Sequence, residues 1–569
     1  MADSAPFMMR PNSPARALGL VAASLAALLG SGAAPQNPAP SSSPSRDRTA
    51  VLLAINDVYR IEGLQEGTIG GLARVRALRK ELEREAPDLL MLHGGDFLFP
   101  SFASRMYRGA QMISVLNDLD GDTAAFDPRM FVTLGNHEFD QRRLRDSRVL
   151  ADRIEESQFR WLAGNINFAN GPDGKPLVAS KNLSRTAIVE SGGIRIGLFG
   201  LTIPTLGVEY IKDFAGEQAT ARELIAELRA QKAEVIVGLT HLNAFEDRRL
   251  MEALGEDGPD LVIGGHEHEP VKIQVRGRWI LKADAGARTA TIVRLTRKVD
   301  GSVVVTSELR PLGGDSPAPD PQVKTLVDEW LNLQEREFCA AAKAGPDCLL
   351  ERYGHSQTEL EAEETKIRGR ETSLGNWVAD RMLEAFRSCG AQVAFMNSGA
   401  LRINGDLPAG GTIMRRHLEE LIAYKTPLYL LKLDGATLQK VAEQSVRGWP
   451  GSGTWLQVAG FAFRHDTVNR SASGLAWIGS LKPRPVAPGD AVLAVTADYV
   501  INPDIGDQDG YLMLNRGQVV KECAVNGAEL KDLLIRDIKA AEPAGIAPRV
   551  EGRICQGAMR SAPCLAIPH

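Results

Sequence analysis

Acids, amides and imidazoles recur at one kind of place in this sequence, immediately after short apolar runs. VLLAI (51–55) is followed by Asn56 and Asp57 and, two residues on, by Tyr59. DLLML (88–92) leads into HGGD, which ends at Asp96, and MFVTL (130–134) leads into GNHEFD, with Asn136, His137 and Asp140. EVIVGL (234–239) gives Thr240 and His241, and DLVIGG (260–265) gives HEHEP, with His266 and His268. Carboxylate, amide and imidazole are the groups that hold divalent cations. In open α/β sheets, ligands bind beyond the carboxyl ends of the strands. Taken singly, each group has a plainer reading. An Asp after a strand ordinarily starts a turn or caps a helix, a lone His is ordinarily hydrogen-bonded structure, and GNHE could be only a tight turn. Yet His137, His241, His266 and His268 are four of only nine histidines in the chain, and all follow such runs.

These groups need a scaffold that brings distant strand ends together. Between the first two runs lies GGLARVRALRKELEREAP, an amphipathic helix stopped by Pro87. Strand, helix, strand predicts a layered α/β domain, expected over residues 49–315. IRIGLFG (194–200) is a further strand. The Gly/Pro/Asp-rich GGDSPAPDPQ then reads as a break, followed by a linker helix within 316–345. A smaller C-terminal α/β domain is expected over 346–550, with a tail over 551–569. The fold class is therefore α/β, an N-terminal layered sandwich plus a smaller substrate-binding domain.

The 569 residues exceed one ordinary core. A net charge of −5 without a basic stripe argues against a nucleic-acid polymer as partner, though not against a small anion. Arg10 and Arg16 precede the apolar ALGLVAASLAALLG (17–30) and the small residues SGAA, the parts of a secretory signal over 1–34. An uncleaved anchor is the alternative. A disordered Pro/Ser linker over 35–48 follows, and no later segment reads as a membrane span. Six cysteines, all in the second half, fit an oxidising compartment. Cys339 with Cys348 and Cys555 with Cys564 are spaced to close small loops, while Cys389 and Cys523 could pair or stay free. Periplasm or secretion is the expected location, and oligomeric state is not readable.

The order D…GD…GNHE…H…GHxH resembles the calcineurin-like metallophosphoesterases and, within them, the 5′-nucleotidase family, which includes UDP-sugar hydrolases. The resemblance implies two divalent metal ions (Mn, Zn, Fe or Co), with Asp96 bridging, Asp57 and His268 on the first, and Asn136, His241 and His266 on the second. It makes His137 the catalytic histidine and Asp140 its orienting partner. Tyr59 departs from the pattern, because the family usually has DxH there, and His268 stands where some members carry Gln. A phenolate could replace the imidazole and would favour a hard, high-charge ion. Alternatively the phenol stays protonated and only packs or hydrogen-bonds, leaving the first metal weakly held; this second reading is the expectation. His93, which matches no family ligand, reads as structural or as a support behind the ligands.

In the second half, IRGRETSLGNWVADRM, FMNSGALR, AYKTPLY and ADYVINPDIGDQDGY resemble segments of the family's C-terminal domain. The resemblance implies substrate contacts from Arg368, Asn397 and Arg402, aromatic faces for a base from Tyr424 and Tyr499, and a role for Asp509. Thr426 replaces a family Asn, and the family's double Gly before Asp509 is lost. The implied activity is metal-dependent removal of phosphate from nucleoside 5′-monophosphates or related small nucleotides. Alternatives are UDP-sugar hydrolysis, cyclic-nucleotide phosphodiesterase or sulfur-ester hydrolase activity on the same scaffold. A metal-depleted nucleotide-binding or surface protein is the alternative from another class.

Overall fold

Two sheets stacked face to face carry the strand ends. The computed structural model describes residues 46–569 apart from 123, 315, 479–482, 506–507, 557–563 and 566–569. The expected signal segment and most of the expected Pro/Ser linker lie outside the described residues. β1 starts at Arg48, the last residue of the expected linker, and pairs with a later strand.

The strands of the two stacked sheets are β1 (Arg48–Ile55), β2 (Leu90–His93), β3 (Met130–Thr133), β4 (Arg160–Leu162), β5 (Leu183–Ser184), β6 (Thr186–Ser191), β7 (Ile194–Thr202), β8 (Val235–His241), β9 (Leu261–Gly264), β10 (Val271–Val275), β11 (Arg278–Lys282), β12 (Thr289–Arg297) and β13 (Val303–Pro311). One sheet runs β13-β12-β1-β2-β3-β4-β5 and the other β10-β11-β9-β8-β7-β6. β1, β2 and β3 are mutually parallel, as are β7, β8 and β9. Parallel strands covered on both faces become continuous apolar runs rather than alternating ones, hence VLLAI and EVIVGL. Between the sheets, Leu52, Leu92 and Phe131 pack with Leu198, Val237 and Ile263. Helix α1 (Leu72–Leu82) and the helix Ser147–Glu156 cover the outer face of one sheet, and Glu217–Ala230 with Ala244–Leu254 cover the other.

The linker helix runs Pro321–Ala341, with Pro at its start and Asp320 accepting from the Gln322 and Val323 N–H groups. It does not bridge the halves freely. Val323 and Val327 enter the first core, and Trp330 Nε1 donates to Ser114 Oγ at 3.1 Å. The Cys339–Cys348 disulfide ties its last turn to the segment that follows.

The second domain is built on a sheet of β14 (Val393–Asn397), β15 (Pro427–Asp434), β16 (Leu456–Ala459), β17 (Ala491–Ala497) and β18 (Ala528–Glu529), in the order β16-β14-β17-β15-β18. The segment expected to be a tail differs: Ile554–Cys555 pairs in parallel with Phe461–Asp466, so the chain end completes a small sheet. Cys555 and Cys564 are disulfide-bonded, as are Cys389 and Cys523.

Candidate active site

The loops after β1, β2, β3, β8 and β9 meet at one rim. Their backbones are unusual there: Asp57, Asp96, His266 and His268 all have positive φ, at 54°, 59°, 91° and 61°. Such non-glycine outliers cost free energy and concentrate at functional sites. Glycine permits the crowding. A Cβ on Gly135 would lie 2.1 Å from Asp96 Oδ1, and one on Gly265 would lie 2.8 Å from Asp57 Oδ2. The glycines of GNHE and GGH are therefore required by close approach of carboxylates.

Asp57 and Asp96 are buried, and together with His268 they offer one donor atom each within 4.8 Å of one another. His241 Nε2 lies 3.2 Å from Asp96 Oδ2 but makes no hydrogen bond and is fully buried. Its Nδ1 faces the Gly94 carbonyl at 2.6 Å. His266 Nδ1 lies 3.1 Å from Asn136 Oδ1, and the His266 N–H donates to Asp57 Oδ2 at 2.8 Å. Asp96 Oδ1 accepts the His137 N–H at 2.8 Å. Burial opposes charge on both partners of the Asp96–His241 pair, but their attraction wins and leaves Asp96 at about 2 and His241 at about 10. Burial and the nearby His241 push His266 down to about 3, so it is a neutral imidazole.

The Tyr59 hydroxyl sits inside this cluster, 2.9 Å from His268 Nε2, 3.3 Å from Asp96 Oδ2 and 3.4 Å from Asp57 Oδ1. Burial, Asp96 and Asp57 push the phenol well above 10. His93 is buried, accepts the Gly95 N–H through Nδ1 and contacts Phe97, which fits the structural role expected of it.

His137 Nδ1 lies 3.1 Å from both Asp140 oxygens. The second domain reaches this pair. Tyr424 donates its hydroxyl to Asp140, and Arg402 Nη2 lies 3.4 Å from His137 Nε2. Arg402 Nε and Nη1 are buried without a partner. Asn397 Nδ2 donates to Asp509 Oδ2 at 2.9 Å, and Tyr499 donates to Asp509 Oδ1 at 3.3 Å. Arg368 Nη2 pairs with Glu364 Oε1 at 2.5 Å.

Sequence reasoning left out Glu138, Glu267, Lys282 and Glu364. Glu138 accepts the N–H groups of Asp96, Phe97, Leu98 and Gly135, which locks the Asp96 turn. Glu267 takes a hydrogen bond from Lys282 at 2.6 Å, and Lys282 also pairs with Asp247, bracing the HEH loop from behind. Glu364 meets His268 Nδ1 at 2.8 Å. The letters of GNHE and HEHEP contained two of these residues, but only the fold gives them partners.

A stacked α/β sandwich with buried acids and imidazoles at its strand ends, capped by a second α/β domain, is the architecture of a metallophosphoesterase. Residues 50–270 match the family model of the calcineurin-like phosphoesterases, and residues 352–532 match that of the 5′-nucleotidase C-terminal domain. The chain belongs to the family that joins these two domains, the 5′-nucleotidases, and is a hydrolase. The 5′-nucleotidase of Bos taurus is 24% identical over 555 residues, covering 88% of this chain and 90% of its own. The trifunctional nucleotide phosphoesterase protein YfkN of Bacillus subtilis (strain 168) is 23% identical over 521 residues, but this chain spans only 33% of it. In fold, the 5′-nucleotidase precursor of Thermus thermophilus is similar with a TM-score of 0.73 and 22% identity, over 90% of this chain and 100% of that one.

That fold implies divalent cations, and the residues fit them. A buried imidazole nitrogen without a hydrogen bond faces a buried carboxylate, beside a cluster of oxygen and nitrogen donors. Such an arrangement is costly without a cation.

Proposed function

We propose that this protein is an exported, metal-dependent phosphohydrolase that removes phosphate from nucleoside 5′-monophosphates or related nucleotides. The observation that carries the reading is the meeting of the donor cluster around Asp96 with His137 and with Arg402, whose Nε and Nη1 have no hydrogen-bond partner among the described residues. Asp57, Asp96 and His268 would hold one divalent cation, and Asp96, Asn136, His241 and His266 a second. Cations there supply Lewis acidity toward a phosphoryl oxygen and an attacking water.

The remaining steps belong to the chain. Arg402 has two free N–H directions for phosphate oxygens, the geometry in which guanidinium groups bind them. Water attacks phosphorus in line, the bond to the nucleoside oxygen breaks, and His137 Nε2–H passes its proton to that oxygen. Asp140 holds Nδ1 and fixes the ring orientation. The burial of Tyr59 among the same donors supports it as a further oxygen donor. Arg368, Asn397, Tyr424, Tyr499 and Asp509 are assigned to the nucleoside by resemblance.

Three disulfides among the described residues support an oxidising compartment. Among the described residues no helix is long and apolar enough to cross a membrane. The test is hydrolysis of a panel containing AMP, a UDP-sugar, a 2′,3′-cyclic nucleotide, a sulfur ester and p-nitrophenyl phosphate. Each is assayed with Mn, Zn, Fe or Co and after chelation. Turnover of AMP restored by metal supports the reading. Fastest turnover of another ester moves the substrate, and metal-free protein inert with every ion assigns a binding role instead.

A further inference from the structure

We infer that Glu364, carried by the second domain, is the positioning residue of His268, so that one metal site of the first domain is completed from across the domain boundary. The inference rests on the reading that Asp57, Asp96 and His268 hold a cation.

The three imidazoles of the cluster are oriented by different parts of the molecule. His241 turns Nδ1 to the Gly94 carbonyl at 2.6 Å, and His266 turns Nδ1 to Asn136 at 3.1 Å, both within the first domain. His268 Nδ1 instead meets Glu364 Oε1 at 2.8 Å, across 96 residues of chain. A carboxylate there keeps the proton on Nδ1 and leaves the Nε2 lone pair for the cluster. Nε2 faces Asp57 Oδ1 at 3.3 Å and the Tyr59 hydroxyl at 2.9 Å.

Glu364 is itself held in place. Arg368, one helical turn on, pairs with Oε1 at 2.5 Å, and Asn404 Nδ2 donates to Oε2 at 3.0 Å. The Asn404 side-chain oxygen accepts the Glu364 N–H at 3.1 Å and Arg288 Nη2 of the first domain at 2.7 Å. Glu364 is buried, so solvent cannot substitute for it. A carboxylate behind a ligating histidine orients the ring and raises its basicity, and losing such a partner typically lowers metal affinity 10–100-fold. Because linkage is reciprocal, a cation that gains from the docked second domain also favours docking. The asymmetry between His268 and the pair His241 and His266 makes the consequence selective: one ion depends on Glu364 and the other does not.

The test is Mn²⁺ and Zn²⁺ binding to the full chain by competition with a chromophoric chelator, counting equivalents and their affinities. Wild-type protein is compared with Glu364→Ala and with the isosteric Glu364→Gln. The expected result is that Glu364→Ala keeps one ion at unchanged affinity and weakens the other roughly 10–100-fold. Glu364→Gln should fall between, because its amide oxygen still accepts from Nδ1. Unchanged affinities for both ions overturn the inference, and so does equal weakening of both, which marks general loosening. Should Glu364→Ala fail to fold, wild-type affinities in Glu364→Gln overturn it, and selective weakening there supports it. Wild-type protein that binds neither ion overturns the metal site itself, and with it this inference.

Discussion

The Tyr59 hydroxyl lies 2.9 Å from Nε2 of His268, a residue 209 positions away, with Asp57 and Asp96 carboxylates at 3.4 and 3.3 Å. The phenol hydrogen-bonds within the donor cluster, and burial with the two carboxylates holds its pKa well above 10; we propose that it also serves as a donor to the cation. Tyr59→Phe should therefore lower the affinity of one metal equivalent at least tenfold, about 1.4 kcal/mol, while Tyr59→His retains it. Iron-loaded wild-type protein should carry a visible absorption band that Tyr59→Phe lacks. Chelator competition with absorption spectra checks both, and unaltered affinity in the Phe variant would make the phenol a bystander.

His137 donates its backbone N–H to Asp96, while its ring faces Asp140 and Arg402 and meets the Tyr59 ring edge-on with centroids 5.8 Å apart. His137→Ala should cut kcat by about 10²–10⁴, the usual contribution of a general acid, and leave metal stoichiometry intact. Parallel loss of metal and turnover would make it a ligand.

How much of this was legible beforehand divides along a physical line. The strands VLLAI, IRIGLFG and EVIVGL were legible because parallel strands buried on both faces leave continuous apolar runs. The donor residues were legible because they follow those runs directly. Glu364 was not: in sequence it reads only as the start of a helical turn with Arg368 four residues on, and its meeting with His268 exists only once the domains dock. The hydroxyl of Tyr424 was likewise read as part of a base platform, whereas it also reaches Asp140. The linker helix was legible as a helix, but nothing in its sequence says that Val323 and Val327 join the first domain's core.

Arg402 stands 3.4 Å from His137 Nε2 with Nε and Nη1 free of partners. Its fork is placed for an anion next to the proton donor. Arg402→Ala should lower kcat/KM by roughly 10²–10³, as losing one preorganised donor to a developing charge does. Arg402→Lys should recover only part of that, because an ammonium offers no fork. Steady-state kinetics on the best substrate decides it, and a change confined to KM would restrict Arg402 to ground-state binding.

The disulfides should differ in worth. Cys389–Cys523 joins residues 134 apart, while Cys339–Cys348 and Cys555–Cys564 each span 9. On chain-entropy grounds, opening the long loop costs about 4–5 kcal/mol and a short one roughly 2–3 kcal/mol. The double replacement Cys389→Ser with Cys523→Ser should shift the denaturant midpoint more than either short-loop pair. Equal shifts would point to residual structure in the unfolded chain.

His465 sets a pH dependence remote from the strand-end cluster. It is buried between Trp449 and Trp455, with ring centroids 5.1 and 5.3 Å away, and Gln556 Nε2 lies 3.2 Å from its Nδ1. Among the described residues Nε2 has no hydrogen-bond partner, so burial disfavours a proton there. Burial pushes the imidazole from 6.5 down to about 4, against a weaker opposite pull from Asp466. The folded pKa thus lies below the unfolded one. Between about 6.5 and 4 the unfolded chain binds a proton that the folded chain refuses, so the stability from this residue is full above that window and is lost as pH falls through it. The loss amounts to at most about 3 kcal/mol. His465→Gln, which cannot titrate, should flatten the decline of unfolding free energy between pH 6.5 and 4 while leaving the slope above pH 7 unchanged. Identical slopes for the two proteins would mean that the imidazole gains its proton in the folded state as easily as in the unfolded one.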